Sequence, residues 1–277
     1  MQQADIASFG TSRGLGFTPP ADRPAVVGMV HLRALPGAPG WAGSMQAVID
    51  AAQRDAERLV QGGCDALLVE NMGDLPWLKG SVPPWTVAAA ALATEKVVGF
   101  GLPTGLQLLA AANREALGVA VATGAAFVRV EAFAYGHVAD EGWLEACAGP
   151  LLRDRAALQS PVAVWADVHK KHAAHAVTAD VPLAELAKGT AFAGADTLIV
   201  SGVATGEPTA PTHLTEVQRG GVPVAVGSGI TPDGAGPLGG AAAWIVGSWI
   251  KEAGDWRRPV DVERVRRVLA AAHGSRA

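Results

Sequence analysis

The chain has 277 residues and a mass of 28.2 kDa, a size typical of one large α/β domain. Hydrophobic residues make up 49% of it and charged residues 17%, so it can bury a large core and lacks the charge density of a disordered protein. Its 22 lysines and arginines against 26 aspartates and glutamates give a formal net charge of -4, which argues against nucleic acid or an anionic membrane as a partner.

Cysteine use and hydropathy indicate the compartment. Cys64 and Cys147 are too few for a disulfide framework and lack CxxC spacing, which predicts two buried thiols in a reducing environment. No apolar run approaches the ~18 residues that a membrane-spanning helix needs. Residues 1–23 lack the apolar segment of a signal peptide. We therefore expect a cytoplasmic protein that does not insert into membranes.

Short β-branched apolar runs alternate with helical stretches along residues 25–277, after a short irregular N-terminal extension over residues 1–24. This alternation is typical of βα units that build a parallel sheet. The predicted strands are Ala25–His31, Ala66–Glu70, Gly105–Ala110, Ala126–Glu131, Pro161–Asp167, Asp196–Ser201, Val222–Gly227 and Ala243–Ser248.

Several helices between these strands carry start and stop signals, namely capping side chains at the first turn and glycines after the last. The helices predicted on this basis are Ser44–Leu59 closed by Gly62 and Gly63, a helix opened by Asp180 and Pro182 that ends near Gly194, and Val262–Ala271 capped by Asp261.

The third and seventh units are less regular. Val97–Phe100 could replace Gly105–Ala110 as the third strand, but Pro103 suits a strand entrance and Trp85–Val98 then forms the preceding helix. The glycine-rich residues 229–240 leave room for at most one or two helical turns. Eight units without a linker-like gap favour a single closed (β/α)8 TIM barrel over an open doubly wound sheet.

In such a barrel, functional groups lie where the strands end and the following loops begin. The predicted strand ends give a ring of polar side chains, while the opposite edge carries far fewer. The ring comprises His31, Glu70, Asn71, Asp74, Asn113, Arg129, Glu131, Asp167, His169, Lys170, Lys171, His172, His175, Ser201, Ser228 and Ser248.

The most specific local signal is V-G-S-G-I-T-P-D at Val226–Asp233, followed by I-V-G-S at Ile245–Ser248. Glycines after a buried strand can point backbone N–H groups at one spot, and the loops after strands seven and eight commonly bind phosphate in barrels. Tight turns without a ligand are the alternative. The S-G-V-A-T-G stretch, Ser201–Gly206, could add donors. The predicted phosphate ligands are Ser201, Gly202, Gly227, Ser228, Gly229, Gly247 and Ser248.

A second cluster, D-V-H-K-K-H-A-A-H, crowds titratable groups at the end of the fifth strand. Asp167 and His169 are two residues apart on a strand and so point to the same side, which lets both face the barrel mouth. A carboxylate beside an imidazole or an ammonium suits acid–base work or metal binding. For Lys170 we expect an exposed position, because most lysines lie at the surface.

His31, Glu70, Asp167 and His169 could together bind a divalent cation and leave one position open for a substrate. Apart from this divalent metal ion, the sequence leaves the cofactor unknown. Arg129 and Glu131 could form a buried ion pair inside the barrel, which does not exclude a role in orienting a substrate.

Several motifs together resemble the BtpA family of TIM-barrel proteins, over about residues 26–269. The motifs are V-G-M-V-H-L with L-P-G-A-P-G, V-E-N-M-G-D, A-N-R-E-A-L, F-V-R-V-E, H-V-A-D-E-G, D-V-H-K-K-H-A-A-H-A-V-T-A-D, S-G-V-A-T-G and V-G-S-G-I-T-P. The resemblance also supports a third strand before Asn113.

The resemblance implies a barrel with a phosphate-type site and a polar mouth. The family takes its name from photosystem I biogenesis, although members occur where no photosystem exists. Family-like positions in the polar ring are His31, Glu70, Asn71, Asp74, Asn113, Arg129, Glu131, Asp167, Lys171, His172, Ser228 and Gly229. The chain departs from the family at Gly73 and in the short segment Pro232–Gly240.

These observations predict a cytoplasmic enzyme that acts on a small phosphorylated metabolite, derived from a sugar or a nucleotide, by acid–base chemistry. Isomerase, lyase and hydrolase activities stay open, a Schiff base at Lys171 is a weaker option, and homo-oligomer formation is left open. The alternative is a non-catalytic assembly or stability factor for a membrane or photosystem complex. The predicted catalytic residues are Glu70, Asn113, Arg129, Glu131, Asp167, His169, Lys171 and His172.

Overall fold

The computed structural model describes residues 13–202 and 209–275. Eight parallel strands form a closed barrel, and three short antiparallel strands form a separate small sheet. In chain order the strands are Ala25–His31 (β1), Ala66–Glu70 (β2), Thr104–Gln107 (β3), Phe127–Val130 (β4), His137–Ala139 (β5), Gly142–Leu144 (β6), Ala163–Asp167 (β7), Ala173–Ala174 (β8), Thr197–Val200 (β9), Val224–Val226 (β10) and Ala243–Val246 (β11).

Helices connect the barrel strands. The α-helices are Met45–Gly62 (α1), Pro84–Val98 (α2), Asn113–Thr123 (α3), Ala148–Ala157 (α4), Leu183–Phe192 (α5), Pro211–Gln218 (α6) and Val262–Gly274 (α7). Short 3-10 helices occupy Ala176–Thr178, Pro232–Gly234, Gly236–Leu238, Ser248–Ile250 and Glu252–Gly254. No helix within these described ranges has both the length and the apolar character needed to cross a bilayer.

The barrel runs in the order β1-β2-β3-β4-β7-β9-β10-β11 and closes where β11 pairs in parallel with β1. The single (β/α)8 barrel predicted from the sequence is confirmed, with a strand that overlaps each of the eight predicted segments. The third strand lies before Asn113 as expected, but it ends at Gln107 rather than Ala110. Two 3-10 turns replace the seventh helix, because glycine and proline dominate that segment.

Local capping chemistry explains the first and last helices. The Ser44 hydroxyl accepts a hydrogen bond from the Ala47 N–H at the start of α1, and Gly63 ends the helix with φ 95°, a left-handed conformation that favours glycine. The Asp261 carboxylate accepts bonds from the N–H groups of Glu263 and Arg264 at the start of α7. The sequence predicted both caps.

Residues 13–24 close the amino-terminal end of the barrel. The Leu15 carbonyl accepts a hydrogen bond from Trp165 Nε1 at 3.1 Å, and the Phe17 ring lies 6.2 Å from the Trp165 ring. Phe127 stacks on Trp165 inside the barrel at 4.2 Å. Apolar packing therefore fills the base and leaves the opposite, carboxyl end for polar groups.

The small antiparallel sheet was not predicted from the sequence. β5 pairs with β6 as a hairpin and with β8, which follows β7. Asp140 and Glu141 form the turn of this hairpin and line the cavity at the carboxyl end of the barrel. The two cysteines are free thiols, Cys64 buried as predicted and Cys147 only partly buried.

Candidate functional site

A cavity of about 250 Å³ opens at the carboxyl end of the barrel, between the strand ends and the loops that follow them. Acidic and basic side chains from β1, β2, β4 and the segment after β7 line one part of it, and glycine-containing loops after β10 and β11 line another. The predicted site residues that line the cavity are His31, Glu70, Arg129, Glu131, Lys171, His172, Gly227, Ser228, Gly229, Gly247 and Ser248.

Arg129 and Asp167 form a buried, two-pronged ion pair across β4 and β7. Arg129 donates from Nε to Asp167 Oδ2 at 2.9 Å and from Nη2 to Oδ1 at 3.0 Å. The predicted Arg129–Glu131 pair is therefore wrong, because Asp167 accepts both of these guanidinium bonds. Asp167 does not line the cavity, and its carboxylate holds the guanidinium that does.

Glu131 carries the carboxyl group of the cavity that is best suited to proton transfer near neutral pH. Its Oε2 accepts a hydrogen bond from the Ala111 N–H at 3.0 Å, and its Oε1 lies 3.7 Å from Lys170 Nζ. Burial raises the pKa of Glu131 to about 7, even though Lys170 and Arg129 act in the opposite direction. This carboxyl group can therefore take up or release a proton near neutral pH.

Lys170 is buried at its side chain, contrary to the exposed position expected from the sequence. Its ammonium donates to Glu141 Oε2 at 2.9 Å and also faces Glu131. Two carboxylates surround this cation, and they offset the cost of removing it from water. The hairpin turn at Glu141 is thereby joined to the mouth of the barrel.

His31 and Glu70 end the adjacent strands β1 and β2, with His31 Nε2 3.7 Å from Glu70 Oε2. Burial and the positive charge of Lys251 lower the pKa of His31 well below its usual range. Burial raises the pKa of Glu70, while Arg129 and Lys171 oppose this shift. A neutral imidazole can both donate and accept a hydrogen bond to a ligand, and the Glu70 carboxyl group beside it offers oxygen acceptors.

Lys171 brings an amine into the same cavity. Burial lowers its pKa, and the charge of Arg129 acts in the same direction, whereas Glu70, Asp167 and Glu131 act against it. An ammonium group with a lowered pKa gives up its proton more readily than an ordinary lysine. The neighbouring His172 is exposed and lines the rim of the cavity with φ 56°.

The four residues predicted as metal ligands do not form a metal site. In the described ranges, no three histidine, cysteine, aspartate or glutamate side chains are grouped so that they could hold a metal ion. Asp167 is engaged by Arg129. His169 turns away from the cavity and stacks on His175 at a ring distance of 3.8 Å, because β7 ends at Asp167 and the alternation of a strand does not continue. Burial lowers the pKa of His169 to about 4.

The glycine loops after β10 and β11 face the cavity as predicted. Some of their backbone N–H groups are already bonded within the protein, however, and only the others can bind an anion. The Gly227 amide is bonded to the Val200 carbonyl at 2.8 Å. The Gly202 amide donates to Ser228 Oγ at 2.9 Å, so Gly202 positions the serine instead of facing the cavity. Ser201 also lies outside the cavity lining, and Val203–Gly206 fall outside the described residues.

Gly229 and Ser248 retain unused backbone donors. Within the part of the chain that is described, no protein acceptor takes the N–H of either residue. Gly229 has φ 69°, a left-handed conformation suited to glycine. Gly247 lies against His31, since a Cβ added there would be 3.2 Å from His31 Cε1. The loop after β11 thus lies directly against one of the acid–base groups.

Asn113, a predicted catalytic residue, lies beside the site and not in it. Its Nδ2 donates to the Glu131 carbonyl at 2.8 Å and to Cys147 Sγ at 3.2 Å, so it fixes the backbone that carries Glu131. Asn71 and Asp74 serve the loops in a similar way. Asp74 accepts from the Leu35 N–H and from Asn71 Nδ2.

Sequence reasoning missed Gln107 and the hairpin acids Asp140 and Glu141, which all line the cavity. Gln107 was overlooked because the predicted third strand continued to Ala110. The strand ends at Gln107, and a strand predicted to end at this polar residue would have placed it in the ring of site residues. Its Oε1 is buried and has no hydrogen-bond partner within the described protein atoms. The motif H-V-A-D-E-G contains the two hairpin acids, but no feature of this motif predicts that the hairpin lies over the mouth of the barrel.

Known sequences and structures resemble this chain along most of its length. An uncharacterized mitochondrial protein of Caenorhabditis elegans is 41% identical over 257 residues, which cover 90% of this chain and 93% of that protein. A Synechocystis protein named photosystem I biogenesis protein BtpA is 37% identical over 253 residues, covering 89% and 87%.

Solved structures with the same fold are more distant in sequence. Phosphoribosyl anthranilate isomerase from Thermus thermophilus superposes with a TM-score of 0.54 at 16% identity, covering 89% of this chain and 97% of that one. KGPDC from Streptococcus mutans gives 0.58 at 11% identity, covering 92% and 100%. These likenesses concern the barrel. The sequence model described as the BtpA family matches residues 22–274, so the chain belongs to the BtpA family.

Proposed function

We propose that the chain is an enzyme that binds a small phosphorylated metabolite at the mouth of the barrel and moves a proton on it. One observation supports this most strongly: Glu131, Glu70 and Lys171 line the same cavity as the loops at Gly229 and Ser248. An anion held by the loops would fix the rest of a small molecule against the acid–base groups. The barrel neighbours include an enzyme named for a phosphoribosyl substrate, which is consistent with this proposal.

Each group has a separate role in the proposed reaction. The N–H groups of Gly229 and Ser248 bind the phosphate, with Ser228 beside them. Glu131 acts as the general base, because its pKa of about 7 lets it accept a proton at neutral pH. Lys171 and the guanidinium of Arg129 stabilise negative charge that develops on the substrate. Proton abstraction next to a carbonyl and opening of a glycosidic bond both fit this arrangement.

The phosphate site is tested by binding. Calorimetry with inorganic phosphate, ribose 5-phosphate and nucleoside monophosphates should show binding to the wild-type protein and loss of it in Ser228→Asp, whose carboxylate repels an anion. Ser81→Asp is the matched control, since Ser81 is exposed and lines no cavity described here. Equal binding by both variants would contradict the proposed phosphate position.

The chemistry is tested by hydrogen exchange. Incubation of the ligand with the enzyme in D2O should introduce deuterium next to the carbonyl of a bound sugar phosphate, detected by NMR, or release a base from a nucleoside phosphate. Glu131→Gln should abolish either reaction and keep ligand binding. A wild-type protein that binds these ligands without exchange or cleavage favours the alternative of a non-catalytic assembly factor, which rests on the name of the Synechocystis relative. A cytoplasmic location stays a prediction, and the sequence and structure leave the oligomeric state open.

A further inference from the structure

A second cavity of about 370 Å³ lies outside the barrel mouth, between α1, the loop after β1 and the segment that joins β11 to α7. His31 lines both cavities, so they are neighbours on either side of this imidazole. The second cavity is notable for its charge. Its basic side chains are Arg33, Arg54, Arg58, Arg257 and Arg258.

One face of α1 builds a wall of this cavity. Ala47, Ala51, Arg54 and Arg58 follow one another at intervals of three and four residues, so they lie on the same side of the helix. The two small alanines leave space in the first turns, and the two arginines lie beyond them. Like charges four residues apart repel each other, which makes an anionic partner favourable here.

Within the described residues, two of the five arginines, Arg58 and Arg257, have an acidic partner. Arg257 Nη1 lies 3.4 Å from Asp255 Oδ1, and the exposure of both side chains weakens this pair. Asp55, the carboxylate that lines the cavity, accepts bonds from Lys251 Nζ at 2.5 Å and from the Val260 N–H at 2.9 Å. Arg58 lies 3.7 Å from Glu252, with both side chains substantially exposed, and such a pair contributes little.

Three arginines of the cavity are available for a ligand. Throughout residues 13–202 and 209–275, no carboxylate lies within 4.0 Å of the guanidinium of Arg33, Arg54 or Arg258. The cavity gathers this positive charge in a protein whose formal net charge is -4. A guanidinium group can donate two parallel hydrogen bonds to the oxygens of one phosphate. Several guanidinium groups around one cavity can therefore bind a ligand that carries more than one phosphate.

Two tryptophans complete the cavity. Trp41 and Trp256 both line it, and the Arg257 guanidinium lies over the Trp256 ring at 4.6 Å from its centre. The His31 ring meets the Trp256 ring edge-on at 6.1 Å. Indole rings offer apolar surface for a planar base, and Trp is a common partner for nucleobases.

We propose that this arginine cavity is a binding site for a nucleoside di- or triphosphate, separate from the phosphate loops of the barrel mouth. The arginines bind the polyphosphate and the tryptophans contact the base. The site does not depend on the proposed function of the mouth, because no residue of the glycine loops lines it. A ligand there would lie next to His31 and could therefore influence the mouth.

The test is calorimetry with ATP, ADP, AMP, pyrophosphate and inorganic phosphate, with tryptophan fluorescence as a second signal. We expect affinity to fall from ATP to ADP to AMP, and to fall as salt rises from 50 to 300 mM. Pyrophosphate should bind more weakly than ADP if the tryptophans contact the base. Arg54→Gln should weaken ATP binding at least about tenfold, the effect of losing one charge-assisted hydrogen bond.

Arg153→Gln is the matched control, because Arg153 is an exposed arginine on α4 that lines neither cavity. It should bind ATP like the wild-type protein, and circular dichroism should show that both variants are folded. Ser228→Asp should keep ATP binding while it loses binding at the mouth. Wild-type ATP affinity in both Arg54→Gln and Arg33→Gln, or loss of ATP binding in Ser228→Asp alone, would overturn the proposal.

Discussion

Arg129 donates two parallel hydrogen bonds to Asp167, at 2.9 and 3.0 Å, inside the barrel. The pair joins β4 to β7 and leaves both side chains nearly free of solvent. Asp167 is consequently unable to serve as the free base that the sequence suggested, and its role is to position Arg129 at the cavity.

Asp167→Asn should lower the free energy of unfolding by about 3 kcal/mol or more, because a buried guanidinium loses its counter-charge. Urea denaturation measures this change. Asp154→Asn provides the control, since Asp154 pairs with Arg114 at the surface, where solvent weakens the interaction. Similar losses of unfolding free energy in the two variants would show that the buried pair stabilises the protein no more than the surface pair does.

Glu131 should make stability depend on pH between about 4.5, its ordinary pKa, and about 7, its pKa in the folded protein. In this window the folded state keeps the proton and the unfolded chain releases it. The folded state thus binds more protons, and the free energy of unfolding falls as pH rises, by about 3 to 4 kcal/mol at ~1.4 kcal/mol per pKa unit.

The check on this pH dependence is urea denaturation of the wild-type protein and Glu131→Gln at pH 5 and pH 8. The glutamine variant lacks the titrating group, so its loss of stability between the two values should be smaller. Other buried groups, such as Glu70, titrate in both proteins and cancel in the comparison. An identical loss of unfolding free energy in both proteins would show that the Glu131 carboxyl group does not have the raised pKa.

Lys251 and Asp55 tie α1 to the segment that precedes α7. Lys251 is 0% exposed, and its Nζ lies 2.5 Å from Asp55 Oδ2. Lys251→Met should destabilise the protein by about 3 kcal/mol because it leaves a largely buried carboxylate unpaired. The double variant with Asp55→Asn should recover at least about 1 kcal/mol of that loss, measured as the coupling in a double-mutant cycle. Simple additivity of the two single variants would contradict a direct interaction.

Gly247→Ala should weaken ligand binding at the mouth. The added Cβ would lie 3.2 Å from both His31 Cε1 and Met29 Sδ, tighter than ordinary contact, so the side chains at the cavity must shift. We expect at least a severalfold loss of phosphate affinity by calorimetry. Gly118→Ala, in open space within α3, is the control and should stabilise the protein by about 0.5 to 1 kcal/mol without changing affinity. Unchanged phosphate affinity in Gly247→Ala would show that the loop after β11 does not contact the ligand.

The barrel was predictable because its signals are local. A buried strand such as Ala66–Glu70 shows as a short apolar run, and Ser44 shows as a helix cap in its own sequence neighbourhood. The rim of the site followed from the fold, since parallel strands all end at one edge. His31 and Glu70 illustrate this, as the ends of adjacent strands.

The pairing of side chains could not be predicted in the same way. Arg129 selects Asp167 over Glu131, and Lys170 finds Glu141, through contacts between segments 29 to 38 residues apart. His169 shows the same limit at short range, because the position at which β7 ends decides where its ring points. Such choices depend on burial and register, which no pattern of residue types specifies.

The base of the barrel also receives both ends of the described chain. The Arg13 N–H is bonded to Asp196, which precedes β9, and the Ser275 carbonyl packs against Gly239, which precedes β11. Arg13 and Ser275 therefore lie on the far side of the molecule from the mouth. A fluorophore attached through a cysteine introduced at Ser275 should report on the protein without obstructing the cavity at the mouth.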